Sequence, residues 1–250
     1  MKLFVYHGDS ESRACAGLGI CCAVLLLLCP IVNAQSKSSG SGQTASTLEG
    51  VLAQMDAAAA QFRSAQADFT WDQYQKVVDE TDTQKGVVYY RRNGKSETQW
   101  AADIQSPDQK YMLFTDGKIR IYQPKIHQVN EYDAGKNRAE VESFLVLGFG
   151  GRGHELQNQF EIKFEGNEDV DGVRTAKLDL TPKSAKVKNM FDHIIIWVDA
   201  TRSVSLKQQA FEPSGDYRLA HYTNIKLNSK IPDDVFKLHT SGKTKTVKGR

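Results

Sequence analysis

Beyond residue 29 the chain has no cysteine: all four, Cys15, Cys21, Cys22 and Cys29, stand in the N-terminal segment. The remainder therefore offers no disulfide, no thiol nucleophile and no zinc–thiolate site. Charge of one sign is missing too. The 32 basic and 30 acidic side chains leave a net charge of +2, and no basic face with aromatic platforms marks a nucleic-acid binder. Catalytic signatures are missing as well: there is no H-E-x-x-H, no G-x-S-x-G and no Ser–Lys arrangement. Residues 148–153 spell G-x-G-x-x-G, but a dinucleotide site needs a strand before it and a helix after it. Here a helical pattern precedes and a strand pattern follows, which makes the stretch a flexible hinge. The pairs His154-Glu155 and Asp192-His193 are chain neighbours, which a strand would turn to opposite faces. His221 and His239 stand alone. These absences predict no catalytic residue, no metal and no cofactor; the protein is not expected to be an enzyme.

What is present begins with an export signal. Lys2 and Arg13 precede an apolar run over 16–28, and Val32-Asn33-Ala34 forms a small-x-small cleavage site before Gln35. The pattern predicts a cleavable signal peptide over 1–34, with an apolar run too short for a comfortable membrane span. An uncleaved anchor, or lipidation at Cys29 behind a poorly fitting Leu28, are the alternatives. A Ser- and Gly-rich leader follows over 35–45. Leu48, Val51, Leu52, Met55, Ala59 and Phe62 then recur at spacings of 3 and 4, one face of a helix, with Thr47 as its N-cap.

From Ala67 onward the period changes to two. Strands are predicted over 68–78, 86–92, 98–104, 111–114, 118–122, 128–132, 160–164 and 174–180, with a polar turn over 80–85. Asn93-Gly94 and Asp116-Gly117 are hairpin dipeptides. A helix is predicted over 137–147, carrying Val141, Phe144 and Leu145 on one side. A three-strand meander over 191–198, 204–212 and 217–225 follows. A short turn and a last strand over 231–236 close the fold, and 241–250 is a solvated basic tail. The first strand of the meander is apolar on both faces: Ile194, Ile196 and Val198 point one way, Phe191, Ile195 and Trp197 the other. Both faces must be covered; one can meet a helix, the other must meet protein or enclose something apolar. The class is mainly β with a few helices (α+β), one curved antiparallel meander with helices on one side.

These residues resemble the LolA-like family of periplasmic outer-membrane lipoprotein carriers. The resemblance runs from Tyr90-Arg91-Arg92 through Trp100, Ser106-Pro107 and Leu113-Phe114-Thr115-Asp116-Gly117-Lys118 to Tyr122-Gln123-Pro124. It continues with Leu180-Thr181-Pro182-Lys183, Val198-Asp199 and Gly215, and ends with Asn224-Ile225, Ile231-Pro232 and Phe236. It spans 46–240 and implies an incomplete, curved antiparallel β-barrel, a half-barrel, with helices over its mouth. The cavity would hold lipoprotein acyl chains in transit from inner to outer membrane. The expected lining is Leu52, Met55, Trp100, Leu113, Phe144, Leu145, Leu147, Ile194, Ile196 and Val198. In such carriers an arginine clamps the helical lid through backbone carbonyls. Arg92 takes that position by the pattern, Asn93 stands where the family has proline, and Arg91 is the alternative. The lid would be the segment 141–147. The implied partners are acylated lipoproteins, an inner-membrane lipoprotein-releasing transporter and an outer-membrane acceptor, with no nucleic acid. The implied state is a periplasmic monomer. Two other readings fit the same lining: a carrier of free lipids or glycolipids, and a regulatory module that senses lipoproteins.

Overall fold

The computed structural model describes residues 47–93, 97–135, 138–145 and 147–249. The expected signal peptide, the leader, all four cysteines and Gly94 of the first hairpin dipeptide lie outside them. The first element is helix α1 (Leu48–Ala59), and Thr47 caps it, its hydroxyl accepting from the Gly50 amide at 3.2 Å. That bond satisfies one of the orphan N–H groups of a first turn. Val51, Leu52, Met55 and Ala59 are fully buried along one stripe of α1, as the spacing of 3 and 4 requires.

The sheet then builds by consecutive pairing. Strands β1 (Ser64–Gln75), β2 (Glu80–Asn93), β3 (Glu97–Ser106), β4 (Lys110–Thr115), β5 (Lys118–Gln123) and β6 (Gln128–Asp133) form one run of antiparallel neighbours. Helix α2 (Arg138–Leu145) and the single turn α3 (Gly153–Leu156) interrupt it. Strands β7 (Phe160–Val170) and β8 (Val173–Pro182), the single turn α4 (Ala185–Lys188), and strands β9 (His193–Asp199), β10 (Val204–Phe211) and β11 (Tyr217–Leu227) complete the second run. β11 pairs with β1, so the two runs join into one sheet. Its order is β12-β6-β5-β4-β3-β2-β1-β11-β10-β9-β8-β7, where β12 is Lys245–Lys248. The two edge strands do not meet, so this is an open, curved half-barrel. Asp116 and Gly117, with φ of 55° and 69°, make the β4–β5 turn in the left-handed region that such a two-residue hairpin requires.

The concave face holds the core. Met55 and Val51 of α1 pack with Leu178, Leu180, Ile194, Ile196 and Val198. Phe62, Phe69, Tyr90, Trp100, Phe114, Phe149 and Tyr222 form a second group beside them. The convex face of β9 meets protein, one of the two coverings the sequence left open. Trp197 is only 3% exposed, packed with Val170 and Leu206. The Lys207 and Lys177 ammonium groups lie 4.3 and 5.2 Å from its ring centre. Long lysine stems can cover apolar surface while keeping their heads wet. The second apolar face of this strand therefore needs no ligand.

Three expectations change. The polar stretch 80–85 is not a turn but the first half of β2, in register with β1 from Tyr74↔Thr81 to Thr70↔Lys85. Its polar side chains stay wet at the end of the hairpin, so composition hid a strand. The predicted last strand over 231–236 is instead a strap ending in a 3-10 turn, Asp233–Phe236. It lays Ile231 and Phe236 on Ala101 and Leu113 of the convex face. The basic tail is not wholly free: β12 adds to β6 in parallel, with all four of its side chains exposed. Lysines along such an edge discourage further strand addition.

Candidate functional site

Between α2 and the centre of the sheet lies a cavity of about 450 Å³. The sheet builds its floor from period-two positions. Trp71, Ala220 and Tyr222 come from β1 and β11, Trp100 from β3 and Met112 from β4. Trp71 and Trp100 lie near-parallel at 6.5 Å between ring centres. Ile194 and Ala210 close one side, and Phe144, Leu145 and Leu147 cover it. Phe144 is held edge-on to Phe160 at 5.8 Å and near Phe191 at 6.0 Å. Within the floor, burial pushes the Tyr222 phenol up to about 12. Burial raises Tyr90 as well, with neighbouring Tyr222 adding to it. Neither phenol is a usable base at neutral pH.

The polarity of the wall changes toward one end. Gln73 of β1, Asp82 and Gln84 of β2, and Arg218 of β11 line the cavity where these strands reach their hairpin turns. That end is the mouth. Of the exposed large apolar side chains among the described residues, Val77, Val78, Met190 and Ile126, 93%, 54%, 54% and 58% accessible, belong to loops at the same end of the sheet, while Tyr132 and Val247 lie on strands β6 and β12 at one edge of it. The registers place the four loop residues there: 76–79 joins β1 to β2, Asp192 bonds to the end of β10, and Ile126 follows the end of β5.

The structure divides the expected lining in two. Trp100, Phe144, Leu145, Leu147 and Ile194 face the cavity. Leu52, Met55, Ile196 and Val198 do not. All four are fully buried, and Met55, Ile196 and Val198 belong to the close-packed layer between α1 and the sheet, because α1 already covers that part of the concave face. Leu113 sits on the opposite face, under the strap. Trp71, Met112, Phe191, Ala210, Ala220 and Tyr222 are lining residues that sequence reasoning missed. Trp71 and Tyr222 carried a usable signal, since each shares its strand face with an apolar neighbour two residues away, Phe69 or Ala220.

The two arginines part company at β2, as successive strand residues must. Arg92 turns to the concave side. Its Nη1 donates to the Ala59 carbonyl at 3.2 Å and its Nη2 to the Gly150 carbonyl at 2.9 Å. It thus ties the end of α1 to the segment that follows α2. Arg91 turns to the convex side, donating to Gln99, to the Ile231 carbonyl and to Asp233 at 2.9, 3.2 and 2.6 Å, above the Phe236 ring. It pins the strap.

The glycine stretch 148–153 is not a flexible hinge. Phe149 is fully buried and bridges to Val204. The Ser205 amide donates to the Gly148 carbonyl at 2.5 Å, and the Gly150 amide donates to the Ser203 carbonyl at 2.8 Å. Gly150 has φ of 68°, and a Cβ there would collide with the Phe62 ring; at Gly153 a Cβ would collide with the α1 backbone at Leu52. Small residues are there to let chains approach, not to bend.

His154, just beyond, bridges α3 to α1. Its Nδ1 meets Asp56 at 2.5 Å and its Nε2 meets Glu49 at 3.1 Å. Hydrogen bonding to Asp56 and then Glu49 raises the imidazole above its ordinary 6.5. Burial pushes Asp56 up, but the bonds from His154 outweigh it and the carboxyl lies below its ordinary 3.8. Stability from the raised imidazole is complete below 6.5 and lost as pH rises through its folded value. Stability from Asp56 is present above 3.8 and lost as pH falls through its lowered value. Thermal unfolding temperature should therefore fall in wild type as pH climbs above 6.5, and His154→Gln should flatten that slope. An equal slope in the variant would show that the bridge does not couple to folding.

An open, curved half-barrel with a helix-covered apolar cavity defines a binding fold for an apolar ligand. Residues 60–239 match the model of the outer membrane lipoprotein carrier protein LolA. The chain belongs to this family, whose members are carriers and binding proteins. Among solved structures it is similar to MucB, at 13% identity and a TM-score of 0.50 over 77% of this chain and 62% of that one. It is similar to an uncharacterised conserved protein from Thermus thermophilus, at 9% identity and a TM-score of 0.52 over 80% and 98%. It also matches MucB in the Pseudomonas aeruginosa MucA/MucB complex, at 13% identity and a TM-score of 0.47 over 77% and 61%. The chain thus spans under two thirds of the MucB chains. No protein of curated function matches it in sequence.

Proposed function

We propose that the protein is an exported carrier that takes acyl chains of lipoproteins into the cavity and moves them from inner to outer membrane. The cavity carries this reading. An apolar space of about 450 Å³ is out of keeping with the close packing of protein interiors unless it serves a ligand. Hiding an acyl chain from water is worth about 0.8 kcal/mol per methylene. The gradient from apolar floor to polar mouth fits a chain that enters tail first. The exposed Val77, Val78 and Met190 fit a mouth that touches apolar surface during loading. Family membership supports the cargo and an extracytoplasmic location. The inner-membrane transporter and the outer-membrane acceptor belong to the same proposal.

The test is mass spectrometry of the protein purified from the exported fraction without detergent. Co-purified acylated protein supports the reading and identifies the cargo. Phospholipid or glycolipid alone replaces it with a free-lipid carrier. An empty protein that a partner captures only in the presence of lipoprotein would favour the sensor.

Arg92 is the proposed clamp. It holds the end of α1 and the carbonyl of Gly150 rather than α2 itself. Arg92→Leu would leave both carbonyls without that donor and free the segment anchoring the cover. Release of an acylated peptide is expected to speed up several-fold, with capture changed less. Unchanged capture and release would remove Arg92 from the carrier mechanism.

A further inference from the structure

Phe144 of α2 borders a second space besides the acyl cavity. A recess of about 240 Å³ lies between α2, the start of β7 and α4. Phe144, Phe160 and Val187 give it apolar walls, and the exposed Asn158, Lys183 and Ser184 form its polar rim. Among the described residues Phe144 alone belongs to both linings. Phe160 borders only the recess and Phe191 only the cavity, and the Phe144 ring packs against both, at 5.8 and 6.0 Å. The ring is therefore the partition between the two spaces.

The recess is preformed. The Lys183 amide donates to the Gln159 carbonyl at 2.8 Å, and Phe160 pairs with Pro182, so backbone contacts fix its base. The Lys183 ammonium donates to the Gln157 carbonyl at 2.6 Å, which holds it at the rim. Both spaces lie at the same end of the sheet. The registers run from Phe160↔Pro182 through Leu180↔Ile194 and Phe211↔Tyr217 to Tyr74↔Tyr217. The recess is thus beside the mouth, and a chain that enters the cavity tail first leads away from it. At roughly 30 Å³ for a water-sized group, the cavity has room for about fifteen chain carbons and the recess for about eight.

We propose that the recess takes a second acyl chain of the same ligand, so that a lipid with two chains on one head straddles Phe144 at the mouth. This rests on the carrier reading of the cavity and narrows it: the cargo is a lipid group with at least two chains, not a free fatty acid. One chain alone leaves the apolar walls of the other space in water, whereas two chains cover both. Their shared head stays at the polar mouth, where the two spaces lie one ring apart.

The test is a calorimetric titration of the whole chain with didecanoylphosphatidylcholine and with its one-chain counterpart, decanoyl-lysophosphatidylcholine, both kept below micelle formation. The two-chain lipid should bind at least about fiftyfold more tightly, the worth of roughly three methylenes at about fourfold each. Ser184→Trp and Asn158→Trp each place an indole in the recess from an exposed position. Ser184 makes no side-chain capping bond to α4 that the change would remove. In both variants the two-chain lipid should lose at least about tenfold in affinity, the order of two methylenes. The one-chain lipid should bind as in wild type, and the unfolding temperature should hold. Equal affinity of the two lipids for wild type, or a two-chain affinity untouched by both plugs, overturns the proposal and leaves the carrier reading standing. An equal loss of both lipids in the plugged variants also overturns it, because the recess would then only support the cavity wall. Failure of both lipids to bind wild type sinks the cavity reading itself, and the proposal with it.

Discussion

Ala220→Trp is expected to abolish binding of an acyl chain while leaving the fold in place. Ala220 lies on the cavity floor between Trp71 of β1 and Gln208 of β10, its direct cross-strand neighbours. An indole there projects into the open space that a ligand would use. Overpacking a filled core costs about 1–3 kcal/mol, but this position faces a cavity, so the cost to stability should stay at the low end of that range. Displacement of a fluorescent fatty-acid probe measures the effect. Filling the space over several methylenes forfeits a few kcal/mol at about 0.8 kcal/mol each, so affinity should fall at least a hundredfold. The urea midpoint should move little. Unchanged probe affinity with an intact fold would place the ligand somewhere other than this cavity, and the carrier mechanism would need a different pocket.

The variant also isolates which part of the architecture was legible in the chain. The period-two runs announced the strands, and the Asp116-Gly117 dipeptide announced a hairpin whose φ values demand those residues. The stripe on α1 announced its buried face. What the chain could not declare was which apolar positions would be covered by other protein. Ile194, Ile196 and Val198 are equivalent by pattern. All three share one packed cluster with Val51 and Met55 of α1, but Ile194 also borders the cavity while Ile196 and Val198 do not. That boundary is set by helix placement, a tertiary matter. Leu113 shows the same limit from the other side. Its alternation was clear, but the strap that makes the convex face apolar comes from 231–238, more than a hundred residues later.

The polar residues were misread for a related reason. Residues 80–85 lack apolar anchors, so they read as a turn, yet backbone pairing to β1 carries the strand past the edge of the core. Hydrogen bonds of the ladder need no side-chain signal. The arginines were resolved only by parity. A single residue step sends Arg91 to the strap and Arg92 to Ala59 and Gly150, and register cannot be fixed from one strand in isolation.

The largest expected loss of stability belongs to Phe149→Ala, in the stretch whose glycines suggested a hinge. Phe149 is fully buried. Its ring stacks on Tyr90 at 4.2 Å and meets Tyr222 edge-on at 4.9 Å. Removing a fully buried phenylalanine typically costs about 3–5 kcal/mol, because the walls relax only in part. Here the walls include Phe62, Tyr90 and Tyr222 on different strands and loops, which leaves little freedom to collapse. The urea-unfolding free energy should drop by that amount, and Phe149→Leu should recover most of it. A second readout separates a hole in the core from a loosened loop. Tyr222 is held at about 12 by burial, and a void that admits water beside it should bring the phenol back toward its ordinary 10 in an ultraviolet titration. A loss below about 1 kcal/mol with an unshifted phenol would restore the hinge, because a mobile segment contributes little to either quantity. The full loss with a lowered phenol would establish that the segment between α2 and α3 is a fixed part of the core, against which Arg92 holds the end of α1.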